Sequence, residues 1–162
     1  MSYAEQNLIS GEQVLYQTRL HWIVLLGPLL FAILLGLPGL IMLLTSFTSE
    51  GPTPLSLLLV LAAGGFFLLG YLKRKATEMA VTNKRILIKT GILSRRTFEL
   101  LLSKVESIGV EEDLLGRMLG YGSVVVRGIG GTPEPFPMIA HPLEFRRQVQ
   151  QQIEHREQEG VV

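Results

Sequence analysis

The sequence predicts a hairpin of two transmembrane helices joined to a compact β-rich domain, a bent antiparallel sheet or barrel capped by a C-terminal α-helix. Three observations lead there. The first is where charge is missing. Hydrophobic residues make up 48% of the 162-residue chain and charged residues 18%, against roughly 25% charge in soluble domains. Between Leu20 and Leu72 the only acid is Glu50, there is no Lys or Arg, and His21 is the one histidine. From Lys73 onward both signs return, so residue 72 marks a change of solvent from lipid to water. The second observation is a series of short alternating runs separated by turn formers over residues 78–140. The third is a switch to helical spacing after Pro142.

The first span is assigned to residues 22–44 and the second to 55–72. At ~1.5 Å rise per residue, 23 residues cross a hydrocarbon core of ~30 Å with some tilt. A cleaved signal peptide is the competing reading of the first run, but its apolar region covers only about 7–15 residues after a basic start. Here Arg19 is outnumbered by Glu5 and Glu12. The linker 45–54 (TSFTSEGPTP) has no Lys or Arg, whereas Lys73, Arg74 and Lys75 directly follow the second span. Basic residues beside a span stay on the cytoplasmic side, and two spans return the chain to its starting side. Both termini and the domain are therefore expected in the cytoplasm. Pro28 and Pro38 fall inside the first span, and Ala62, Ala63, Gly64 and Gly65 form a small-residue patch in the second that permits close approach. A pathway through the membrane would call for intramembrane Asp, Glu, Lys or Arg, and neither span has one.

After the spans, residues 78–82, 85–90, 95–102, 105–110, 121–127 and 136–140 read as strands. In 85–90 Ile86 and Ile88 share one face, with Arg85 and Lys89 on the other. Phe98, Leu100 and Leu102 share a side of the next strand. Residues 112–120 (EDLLGRMLG) suggest one short helical turn with acids at its start, and 128–135 a loop. Pro142 suits the first position of a helix and Glu144 its first turn. Leu143, Val149 and Ile153 sit near helical spacing, with Phe145 and Gln152 fitting less neatly. Residues 1–20 are a lead-in, strand or interfacial helix, and 76–158 the domain.

The stretch TNKRILIKTGIL (82–93) resembles the bacterial pleckstrin-homology-like domains of the YdbS type, formerly a domain of unknown function. VESIGV (105–110), LLGRMLGYG (114–122) and IAHPLEFR (139–146) extend the similarity over about residues 75–152, and GEQVL (11–15) resembles the family's lead-in. The resemblance implies a seven-stranded, strongly bent sheet capped by the C-terminal helix after a membrane hairpin, and brings no catalytic residues with it. Joined to the topology above, it implies a multi-pass protein of the bacterial cytoplasmic (inner) membrane.

The residues argue against catalysis and cofactors. No Cys is present, which excludes disulfides and thiol chemistry. His21, His141 and His155 lie in no metal-ligand spacing. Glu111, Glu112 and Asp113 could hold a cation but fit better as acids at a helix start. Gly128, Gly130 and Gly131 lack the following helix of a phosphate-binding loop. From residue 73 on there are 14 basic and 11 acidic residues, far short of a nucleic-acid footprint. The candidate lipid- or partner-binding residues are Lys73, Arg74, Lys75, Lys84, Arg85, Arg95 and Arg96. Each adds about 1 kcal/mol of attraction to an anionic leaflet. The expected function is a non-enzymatic scaffold that gathers proteins at the bilayer, its sheet edge or loop 128–135 taking a partner or a second copy. Anionic-lipid sensing and service as an accessory subunit of a transport or export complex are the alternatives.

Overall fold

The computed structural model describes residues 3–47, 51–92 and 94–159. Residues 48–50 of the expected linker and Leu93 of the 82–93 motif lie outside them. In chain order the elements are α1 (Tyr3–Gln6), β1 (Val14–Arg19), a 3-10 turn (Trp22–Leu25), α2 (Leu26–Phe47), α3 (Pro54–Ala76), β2 (Glu78–Thr82), β3 (Arg85–Thr90), β4 (Arg96–Leu101), a second 3-10 turn (Leu102–Lys104), β5 (Val105–Glu111), α4 (Leu114–Leu119), β6 (Tyr121–Gly128), β7 (Glu134–Ala140) and α5 (Pro142–Glu159). They form two compact units, a helical one, Trp22–Arg74, and a discontinuous one made of Met1–His21 and Lys75–Val162.

In the discontinuous unit β1, β2, β3 and β4 make one antiparallel sheet in that order, and β5, β6 and β7 a second. The domain therefore does not begin at residue 76: the lead-in supplies β1, whose Gln17 and Arg19 pair with Ala80 and Glu78. Seven strands are present, but the expected barrel is not closed. Among the described residues a single isolated bridge, Leu20 with Ile139, links strands of the two sheets.

The core between the sheets holds Met79, Val81, Ile86, Ile88, Val124, Val126 and Ile139, consistent with the alternation of β2 and β3. Leu87 points the other way yet is also buried. Together with Ala80 it packs against Ala4 of α1, with Val14 alongside. The N-terminal segment thus covers the outer face of the first sheet, which explains why β3 is apolar at three successive positions. Helix α5 docks through Phe145 and Val149, both fully buried. They are four residues apart and so on one helical face. Phe145 meets Tyr16 edge-on, ring centroids 6.4 Å apart. Leu143, expected inside, is exposed.

In the helical unit, Thr53 caps α3 by accepting the Ser56 N–H, with Pro54 in the first helical position. Pro28 sits in the first turn of α2, where its missing N–H costs little, leaving Pro38 as the interior proline. The helices approach through Gly39, whose added Cβ would lie 2.8 Å from the Leu59 Cβ, and Gly70, whose Cβ would lie 2.6 Å from the Pro28 ring. Of the four-residue small patch, Ala63 shares in this approach, opposite Gly36, whereas Gly64 and Gly65 face open space. Phe31 stacks on Phe66 at 5.8 Å. Gly39→Val is accordingly expected to separate the helices and lower the melting temperature in detergent. Gly64→Val, with equal β-branching but open space, should change it little; equal shifts would defeat this account.

Candidate functional site

The hairpin turn between β2 and β3 has a defined task. Thr82 donates its hydroxyl to Glu12 Oε1 at 2.7 Å. Arg85 grips the same carboxylate with two bonds, Nε to Oε1 at 2.9 Å and Nη2 to Oε2 at 3.0 Å. Arg85 also bonds Glu99 at 2.6 Å and the Asn7 carbonyl at 2.8 Å. Lys84 donates Nζ to the Ser10 carbonyl at 2.8 Å, and Asn83 bonds both Gln13 N–H and Gly11 C=O. Each side chain from Thr82 to Arg85 makes at least one bond to residues 7–13. Burial would raise the Glu12 carboxyl pKa, yet the Arg85 hydrogen bonds, the Ile9 N–H, the Thr82 hydroxyl and the Arg85 charge outweigh it and hold the carboxyl below its ordinary value. The same bonds from Glu12 raise Arg85 against the opposing effect of burial. Lys84 and Arg85 are thus engaged by the chain's own N-terminal segment.

Arg95 and Arg96 lie at the opposite end of the β3–β4 hairpin. Arg85 pairs with Leu101 and Thr90 with Arg96, so five residues of strand, ~17 Å at about 3.4 Å each, divide the two basic pairs. Arg95 is exposed, and Arg96 forms a surface pair with Glu134 at 3.1 Å. At this end Arg19, Glu78, Lys89 and Thr97 form one cross-strand row, with Arg19 3.7 Å from Glu78. Arg19 and Lys89 were not candidates from sequence, because nothing in the linear chain places them beside Arg95 and Arg96. The row is also where the chain leaves the sheet. Only Leu20 and His21 separate β1 from the turn at Trp22, and only Thr77 separates α3 from β2. Lys73 and Arg74 end the helical unit and Lys75 begins the other segment.

Beside this rim Phe98 of β4 and Phe136 of β7 meet at 5.6 Å, in a recess of about 170 Å³ that Ile88, Arg96 and Glu134 also line. The terminal strands β4 and β7 differ as platforms for a partner strand. Pro135 and Pro137 remove two donors from β7; β4 has no proline.

The three consecutive acids line a separate cleft of about 620 Å³ with Tyr121, Ser123 and Met138. Asp113 is occupied as the N-cap of α4, accepting the Gly116 N–H at 2.5 Å. Burial, followed by the Asp113 charge, pushes the Tyr121 hydroxyl pKa up. Among the described residues no three His, Asp or Glu side chains are placed to hold a metal ion. His141 opens α5, its carbonyl accepting the Phe145 N–H.

Two antiparallel sheets capped by a C-terminal helix, with basic side chains at strand ends, have the architecture of a pleckstrin-homology-like binding module. A family model described as bacterial PH domain matches residues 20–156, and the chain belongs to that family. Such domains are in general non-catalytic modules that bind lipids or proteins. No curated protein and no solved structure matches the chain.

Proposed function

We propose that this chain is a membrane-anchored scaffold: a PH-like module that gathers protein partners at the cytoplasmic face of the bacterial inner membrane. The observation that carries this reading is the insertion of two helices, each long and apolar enough to cross a bilayer, between the paired strands β1 and β2. Their outward faces are leucine-rich, Leu61 being 74% exposed, which suits lipid rather than water. The basic run Lys73, Arg74 and Lys75 supports the cytoplasmic side. An anchor joined to the module through two short connections holds it at the membrane surface, where β4 and the Phe98–Phe136 recess can receive a segment of another protein.

Protein capture is preferred over lipid sensing because Lys84 and Arg85 are already engaged within the chain. The cations at the rim, Arg19, Lys89, Arg95 and Arg96, form a loose row with Glu78 and Glu134 among them. Such a row gives salt-sensitive attraction of about 1 kcal/mol per cation rather than a head-group pocket. A photo-crosslinking residue at Thr97, in the full chain in cells, is expected to yield an adduct with a discrete protein. That adduct should survive Arg95→Gln/Arg96→Gln. Adducts with lipid alone, or loss of the protein adduct with the two arginines, would turn the reading to lipid recognition.

A further inference from the structure

Helix α4 carries its largest apolar side chains outward. Leu114 and Met118 are each 83% exposed, and Leu115 and Leu119 are also exposed. Six residues cannot hold a helix unaided, so this one is fixed from both ends. Asp113 caps its start, and Gly120, in the left-handed region at φ 78°, closes its end by donating its N–H to the Gly116 carbonyl. Gly116 lies so near the Tyr121 carbonyl that a Cβ would fall 2.4 Å from that oxygen. The fold therefore holds rigid an apolar patch of the kind that marks an interaction surface.

Its neighbourhood indicates the occupant. Tyr121, which follows the α4 cap Gly120, stacks on His21 with ring centroids 5.5 Å apart. The His21 N–H bonds the Met138 carbonyl at 2.7 Å, and Met138 is a further exposed apolar side chain on this rim. His21 is the last residue of the domain before the first apolar run. The patch thus borders the point at which the chain passes toward lipid.

We infer that α4 is a membrane foot: Leu114, Leu115 and Met118 enter the head-group and upper acyl region of the bilayer, with Arg117 on the same helix reaching the phosphates. The inference rests on the anchored reading above. Glu111, Glu112 and Asp113 precede the helix, so the contact is driven by apolar burial and does not need anionic lipid.

The chain lacks Cys, so single cysteines report unambiguously. Full-length Leu114→Cys and Met118→Cys proteins carrying an environment-sensitive fluorophore would be reconstituted into vesicles containing lipids with a nitroxide high on the acyl chain. Leu61→Cys on α3 serves as the membrane control, and Ile129→Cys, 66% exposed on the β6–β7 loop, as the aqueous one. Labels at 114 and 118 are expected to be blue-shifted and quenched several-fold more than at 129, equally in zwitterionic and anionic vesicles. Quenching at 61 with none at 114 or 118 would overturn the foot alone. So would blue-shifted but unquenched labels, which report cover by protein or a second copy. Absence of quenching at 61 would overturn the anchored reading and the foot with it.

Discussion

Arg85→Ala is expected to cost about 3 kcal/mol, the lower end of the roughly 3–5 kcal/mol lost when one partner of a buried ion pair is removed. The Glu12 side chain is 0% exposed and that of Arg85 12%, so truncation leaves a carboxylate that water cannot reach. Residues 7–13 would lose their central tie, and their amide hydrogens should exchange faster than those of β6. Glu99→Ala, whose carboxylate contacts Arg85 from the surface, should cost only about 0.2–1 kcal/mol. Equal effects would mean that Glu12 is solvated and the pair incidental. The pH dependence carries a definite sign. The Glu12 carboxyl is held below its ordinary 4.5, so the folded state binds fewer protons than the unfolded chain in this range. The stabilisation is present in full above about pH 4.5 and is lost as pH falls through the lower folded-state value. A denaturation midpoint that falls on acidification in the wild type, and much less in Glu12→Gln, is the expected record. Charge changes at Arg85 therefore report on folding before they report on lipid.

Phe145→Ala should cost about 3–5 kcal/mol, the range for deleting a buried aromatic side chain. The ring is fully buried and meets Tyr16 of β1, so the cavity would open between α5 and the strand supplied by the lead-in. Leu143→Ala, two residues earlier and exposed, should lie within about 0.5 kcal/mol of wild type. Chemical unfolding of the two variants in one detergent would separate them. Comparable losses would place Leu143 against another surface.

The contrast between those residues shows what the sequence made legible. Period and composition were sufficient for the apolar helices, for β2 to β7 and for the existence of α5, because each is a local pattern. They were insufficient for the phase of α5. Leu143, Val149 and Ile153 fit one helical stripe as well as Phe145 and Val149 fit another, and only the partner surface decides. Strand β1 has an alternating run in residues 14–19, but its partner β2 lies across more than fifty residues of apolar chain. The Glu12–Arg85 tie spans 73 positions, and neither residue alone signals it. A hint existed in GEQVL, which places a lone acid among residues that resemble a family motif. The double burial of β3 held another, since three successive apolar residues ask for cover on both faces. Arg19 and Lys89 join the end of the sheet that carries Arg95 and Arg96 through strand register, and so no linear scan for basic clusters groups the four.

The pairing of β1 with β2 sets a rule of parity. Two strands that share a ladder must lie on the same side of any barrier, so under the proposed anchoring the chain between Arg19 and Glu78 would cross the bilayer an even number of times. A chain with one apolar helix inserted and the other left behind strands β1 away from its partner and leaves β2 as an exposed edge. Completion of the sheet then waits on the return of the second helix, and an unfinished sheet is the kind of edge that proteolysis and aggregation find first. Under the anchored reading proposed above, the ladder between β1 and β2 would serve as a proofreading step for membrane insertion, written into the domain itself.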